Sequence, residues 1–201
     1  MNRSRASSRI PDMRLPAVST LVAVSFAAAI TTSAVVLSGA SHLLSAAPRQ
    51  VGAPGAELTT LPSLDGASAW LNGAPLDAGA LKGKVVVIDF WTFLCSNCQA
   101  ALPFVRKLDA DFRSQGVVTI GVHTPELAPE RDLANVKKAV VKLGVTYPVA
   151  VDPEFAIWNR FNNRYWPSIY IFDKTGKLRY HHDGEGDYDG QRAIVQKLLA
   201  E

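Results

Sequence analysis

The segment Lys84–Trp91, KVVVIDFW, limits the possible folds more than any other stretch of the chain. A continuous β-branched and aromatic run leaves no polar face for water, so it reads as a strand covered on both sides. Such a strand requires two flanking layers, and the residues downstream supply them. Cys95–Gln115 keeps apolar residues at Leu102, Val105, Leu108 and Phe112, the three-to-four spacing of a helix. Val117–His123 is a second buried strand, Pro129–Leu143 a second helix with Gly144 just past its end, and Pro148–Val151 a short strand. Glu154–Asn162 reads as a helix carrying core aromatics Phe155, Trp158 and Phe161. Ser168–Phe172 and Lys177–His182 flank a hairpin turn at Asp173-Lys174-Thr175-Gly176, and Gln191–Ala200 closes with a helix. Asn72-Gly73, between Ala69-Trp70-Leu71 and Leu76, predicts a further short hairpin. The alternation specifies an α/β domain with a central mixed sheet flanked by helices, antiparallel at one edge.

The only two cysteines, Cys95 and Cys98, stand where the buried strand gives way to its helix. A helix start offers unpaired N–H groups and about half a positive charge, so a thiolate placed there is stabilised and ready to attack a disulfide. Helical geometry divides the roles. Cys95, in the first turn, is the exposed nucleophile, and Cys98, one turn deeper on the same face, resolves the mixed disulfide. Other uses of the pair are weaker. A structural disulfide across so small a loop constrains little of the unfolded chain. A zinc site wants four ligands, and His123, His181 and His182 lack paired spacing. Haem attachment needs a histidine where Gln99 stands. Thr92, three residues before Cys95, keeps a thiol peroxidase open as an alternative, and a thiol-bearing metal-delivery module is a non-enzymatic one. No glycine-rich phosphate loop is present, and no metal or organic cofactor is called for.

Charge divides the chain differently. Of 21 basic and 18 acidic residues, Arg3, Arg5, Arg9, Arg14 and Asp12 fall in residues 1–16, leaving 17 of each sign beyond. The net charge of +3 thus resides in the basic head, which argues against a nucleic-acid face on the folded part. From Leu15 to Pro48 there is no Asp, Glu, Lys or Arg. A basic head followed by an uncharged run is the pattern of an export signal or signal anchor, and the arginine bias keeps the head cytoplasmic. The expected organisation is a basic head (1–16), a signal anchor or signal peptide (17–47), a Pro/Gly/Ala linker (48–57) and one domain (58–201). That domain is expected on the extracytoplasmic side, in the periplasm or secreted after cleavage.

The stretch KVVVIDFWTFLCSNC, with Leu76 and Leu81-Lys82-Gly83-Lys84 before it, resembles the active-site strand and helix of thioredoxin-like proteins of the TlpA/ResA group. Gly121-Val122-His123-Thr124-Pro125-Glu126, Tyr165-Trp166-Pro167 and Gly184-Glu185-Gly186-Asp187-Tyr188-Asp189 bring it nearest to the thioredoxin-like domain of DipZ proteins. The resemblance covers about residues 58–200. It implies a thioredoxin-like fold with an inserted strand–helix segment and thiol–disulfide exchange with protein thiols or disulfides. It further implies a separate membrane electron carrier as redox donor. By the same resemblance Asp89 is the buried acid under the sulfurs, exchanging a proton with Cys98. Trp166 and Pro167 form the substrate-facing cis-proline segment, and Pro103 kinks the active-site helix. One departure is plain: Gln99, Ala100 and Ala101 provide no acid near the helix start, where many relatives carry Glu. His123 and Glu126 are expected on a solvated loop.

Overall fold

The computed structural model describes residues 58–201. The head, the uncharged run and the linker lie outside the described residues. Within them the chain runs β1 (Ala69–Leu71), α1 (Ala78–Leu81), β2 (Val85–Trp91), α2 (Ser96–Phe112), β3 (Val117–His123), α3 (Leu133–Lys142), β4 (Val149–Val151), α4 (Ala156–Arg160), β5 (Ser168–Phe172), β6 (Leu178–Asp183) and α5 (Tyr188–Ala200). The six strands form one sheet in the order β1-β4-β3-β2-β5-β6. β2 pairs parallel with β3 and antiparallel with β5, β3 pairs parallel with β4, and β1 and β6 are antiparallel edges.

All seven residues of β2 are buried, as its composition requires. Strand alternation sends them to two cores. Val85, Val87 and Trp91 meet the apolar faces of α2, α3 and α5, through Leu102, Val105, Leu108, Val136, Val140, Val195 and Leu198. Val86, Ile88 and Phe90 meet Leu81 of α1, Ile157 and Trp158 of α4, and Phe161 just after it. Phe90 makes edge-on contacts with Trp158, Phe161 and Tyr170, which places the predicted Trp158 and Phe161 in the core, while Phe155 is half-buried at its margin. Each fully buried aliphatic or aromatic side chain here contributes roughly 1.5–3 kcal/mol. Asp89 belongs by alternation to the Val87 and Trp91 side, the side that carries α2.

Two expectations change. The Asn72-Gly73 turn exists, with Asn72 at φ +60°, but it closes no local hairpin. β1 pairs instead with β4, some 80 residues away, because Leu71 and Ala69 complete the sheet beside Val149 and Val151. The Asn72 side chain explains why this turn is held: its amide donates to the Val145 and Tyr147 carbonyls. The expected helix Pro129–Leu143 divides into a 3-10 turn, Ala128–Arg131, and α3, because Asp132 accepts from the Ala134 and Asn135 amides and caps a new start. The β5–β6 hairpin is as predicted. The Asp173 carboxylate accepts from the Thr175 and Lys177 amides, and Gly176 takes the left-handed φ of +81°. The segment between β3 and α4 contributes α3 and β4, and β4 wedges between β3 and β1. No helix among the described residues is long and apolar enough to cross a membrane.

Candidate active site

β2 and β3 run parallel and end side by side, Trp91 opposite His123. β5 starts at the same end, Ser168 opposite Phe90. The carboxyl edge of the central strands therefore gathers three connections: 92–95 after β2, 124–132 after β3, and the segment leading into β5. Open α/β sheets place their chemistry at this edge.

Cys95 is the N-cap residue of α2 and half-buried, and the Cys98 amide donates to its sulfur at 3.2 Å. Cys98 begins the buried stripe that continues through Ala101, Leu102, Val105, Leu108 and Phe112. The difference in exposure follows from helical phase: one cysteine precedes the first turn and the other is turned under it. Both are free thiols. Burial pushes the Cys98 thiol far above the ordinary range. A hydrogen bond with Cys95 and the charges of Cys95 and Asp89 add to the rise, against a Thr92 backbone N–H that favours the thiolate. Pro103 lies inside α2, where it cannot donate to the Gln99 carbonyl.

Asp89 is buried beneath this helix, and its one side-chain partner is the Tyr147 hydroxyl, which donates to Oδ2 at 3.3 Å. Burial raises its pKa from 3.8 to about 7, with the Tyr147 bond opposing the rise. Burial and the Asp89 charge likewise push the Tyr147 phenol up. Gly121, paired with Asp89 in the sheet, makes this contact possible: a Cβ there would stand 2.8 Å from Trp91 Nε1 and 3.1 Å from the Tyr147 ring.

The Trp166–Pro167 peptide is cis, and Pro167 is buried at the start of β5 beside the end of β2. The Trp166 indole N–H donates to the Thr124 carbonyl at 3.0 Å, and its ring lies 4.1 Å from that of Trp158. With Phe93 and Cys95 it borders the core that contains Cys98. All five residues singled out from the sequence (Asp89, Cys95, Cys98, Trp166 and Pro167) are thus drawn to one edge of the sheet.

His123 corrects the expectation of a solvated loop, since it is wholly buried, whereas Glu126 is exposed. Its ring stacks on Phe93 at 5.6 Å and meets Trp91 edge-on, because the last residue of a central parallel strand is covered on both sides. Its Nε2 lies 3.2 Å from the Thr92 hydroxyl. Burial lowers its pKa from 6.5 to about 4, with Glu130 acting the other way. Sequence reasoning missed Glu130 altogether. This carboxylate is 1% exposed and accepts the Leu94 amide on Oε1 and the Glu126 and Leu127 amides on Oε2, at 2.8, 2.8 and 2.7 Å. Tyr147 was missed as well. Neither carries a local signal: each acts on a residue 36 or more positions away. Among the described residues no group of three His, Cys, Asp or Glu side chains is placed to hold a metal ion.

The Redoxin family model matches residues 56–199. The protein DipZ of Mycobacterium bovis is 45% identical over 143 residues, which are 70% of this chain and 21% of DipZ. The chain therefore spans about a fifth of that relative's length. The thiol-disulfide oxidoreductase YkuV of Bacillus subtilis is 32% identical over 70% of this chain and 95% of its own. The solution structure of a thioredoxin-like protein in its oxidised form aligns with a TM-score of 0.64 at 31% identity, over 71% of this chain and 95% of that one. A Redoxin match over the whole described domain, joined to the cis-proline and the helix-start cysteine pair, leaves one conclusion: the chain belongs to the Redoxin family and has the thioredoxin-like fold.

Proposed function

We propose that the protein is a thiol–disulfide oxidoreductase that exchanges electrons with protein thiols or disulfides through Cys95 and Cys98. The observation that carries this reading is the division between the two sulfurs. Cys95 is half-exposed at a helix start, and Cys98 is buried 3.2 Å away by its amide, on the side of the sheet that carries Asp89. The resemblance to YkuV supports the same chemistry.

In the reductive direction the Cys95 thiolate attacks one sulfur of a substrate disulfide. That S–S bond breaks, a Cys95–substrate disulfide forms, and the first substrate thiolate leaves. Cys98 then needs a base, because its thiol is strongly disfavoured as the anion. Asp89, with a pKa of about 7, is matched to accept that proton near neutrality. The Cys98 thiolate attacks Cys95 sulfur, the second substrate thiolate leaves, and Cys95–Cys98 holds the disulfide. Two electrons have passed to the substrate; the oxidative direction is the reverse. Trp166 and Pro167 border the place where the substrate chain lies.

Thiol peroxidase chemistry is less well supported. Thr92, which would have to face a peroxide at Cys95, is fully buried with its hydroxyl on His123. The uncharged run after the arginine head supports export or anchoring, with the domain outside the cytoplasmic membrane and a membrane electron carrier recharging the dithiol. A reporter fused after Glu201 is expected to be active only when exported.

The test of the activity is reduction of a protein disulfide by wild type, Cys95→Ser and Cys98→Ser. Wild type turns over, Cys95→Ser is inactive and Cys98→Ser accumulates a mixed disulfide. Faster alkylation of Cys98 than Cys95 at neutral pH reverses the assignment. Peroxide consumed at the rate of disulfide exchange favours the peroxidase.

A further inference from the structure

Two turns leave adjacent parallel strands at the reactive edge, and the tip of each carries an exposed leucine. Leu94, just before Cys95, is 48% exposed, and Leu127, in the opposite turn, is 51% exposed. Their backbones are nonetheless fixed to the same group. Glu130 takes the Leu94 amide on one oxygen and the Glu126 and Leu127 amides on the other. The Thr92 hydroxyl favours the Glu130 anion as well, and it lies 3.2 Å from His123 Nε2. His123 Nδ1 has no partner among the described residues.

Every partner of Glu130 is a donor. A carboxylate matches such a set, whereas an amide must turn its NH2 toward at least one N–H. Burying an anion is costly unless its oxygens are filled, and bonds from amides to a charged acceptor are stronger than those to a neutral one. Burial acts to raise the Glu130 pKa, and the donors around it outweigh burial, leaving the group below the usual range. An ionised, filled carboxylate is a stiff clip. It reaches the dithiol indirectly: Leu94 is bonded to Cys95, whose sulfur accepts the Cys98 amide.

We propose that Glu130 is a positioning residue for the dithiol: its buried carboxylate clips the 92–95 turn to the 126–130 turn and so holds Cys95 in register with Cys98. The proposal rests on the reading of Cys95 and Cys98 as the exchanging pair. A loosened turn lowers the effective concentration of one sulfur at the other, which moves the equilibrium toward the dithiol.

The test uses the full chain as wild type, Glu130→Gln and Glu130→Asp, each equilibrated with reduced and oxidised glutathione, with amide hydrogen exchange on the same samples. In Glu130→Gln the dithiol is expected to be favoured about tenfold more than in wild type, some 30 mV. The Leu94 amide exchanges at least tenfold faster, while β2 and β3 amides keep their protection. Glu130→Asp, which keeps the charge but is too short to span both turns, shifts in the same direction. An equilibrium constant within twofold of wild type, or unchanged Leu94 exchange, overturns the proposal. So does loss of the fold in both variants, which makes Glu130 a requirement for folding. A wild-type protein that forms no Cys95–Cys98 disulfide in glutathione fails the underlying reading instead.

Discussion

Two carboxylates are buried near the cysteines, and they are kept in opposite states. Asp89 lies in the floor under α2 with a single hydroxyl donor, and burial lifts its pKa to about 7. Glu130 lies beside the reactive turn, filled by three backbone N–H groups, and its pKa is below the usual range although burial acts to raise it. Burial and donors act together: around Asp89 burial prevails over one hydroxyl, and around Glu130 the donors prevail over burial. Asp89 is left able to trade a proton, whereas Glu130 is an anion that organises backbone. The same edge of the sheet thus holds a candidate proton acceptor and a candidate structural clip.

The contrast is most open to challenge at Asp89. Its pKa is raised on folding, so the associated stability is full below the unfolded value of 3.8 and is lost as pH rises through about 7. Asp89→Asn imitates the protonated form and lets Tyr147 keep an acceptor. It is expected to match wild type near pH 3.5 and to exceed it by as much as about 4 kcal/mol above pH 7, measured by urea unfolding. A constant difference across that range removes the claim that Asp89 takes up a proton on folding.

His123 carries the opposite linkage. Its pKa is lowered from 6.5 to about 4, so its stability is present above 6.5 and lost as pH falls through 4. Relative to wild type, His123→Gln should gain up to about 3 kcal/mol between pH 6.5 and 4. Parallel curves for the two proteins would mean that His123 charges as readily folded as unfolded. Over much of the same range the two groups offset each other in wild type, so each single variant tilts the stability curve in a different direction.

The smallest effect bears on donor number. Tyr147→Phe removes the only side-chain donor of Asp89 and should raise the Asp89 pKa further. The cost is about 1 kcal/mol, and resolution of a mixed disulfide at pH 7 slows several-fold. An unchanged pH midpoint for resolution would show that Tyr147 does not tune Asp89.

Much of this edge was legible in the sequence because the relevant signals are local. KVVVIDFW could only be a covered strand, and helical phase separated Cys95 from Cys98, whereas the place of Asp89 under the sulfurs came from resemblance. The cis Trp166–Pro167 peptide was foreseen by resemblance alone. What escaped notice depends on contacts across the chain. Tyr147 reaches Asp89 because β4 inserts beside β3 and Gly121 leaves room, and the Asn72 turn joins β1 to β4 where a local hairpin was expected. Glu130 acts on amide groups, whose directions leave no mark in residue identity. His123 was misread because a polar residue after an apolar strand looks like a loop residue until its parallel neighbours are known.

The central claim is that Asp89 is the poised acceptor for the Cys98 proton, and one kinetic profile tests it. A mixed disulfide is formed on Cys95 in wild type and in Asp89→Asn, and its release is timed from pH 5 to 9. The account predicts a wild-type rate that rises through a midpoint near 7, and a variant slower at neutral pH by up to about 10²-fold, the low end for general base catalysis. Superimposable profiles would contradict it, leaving Asp89 a core acid and the solvent as carrier of the proton.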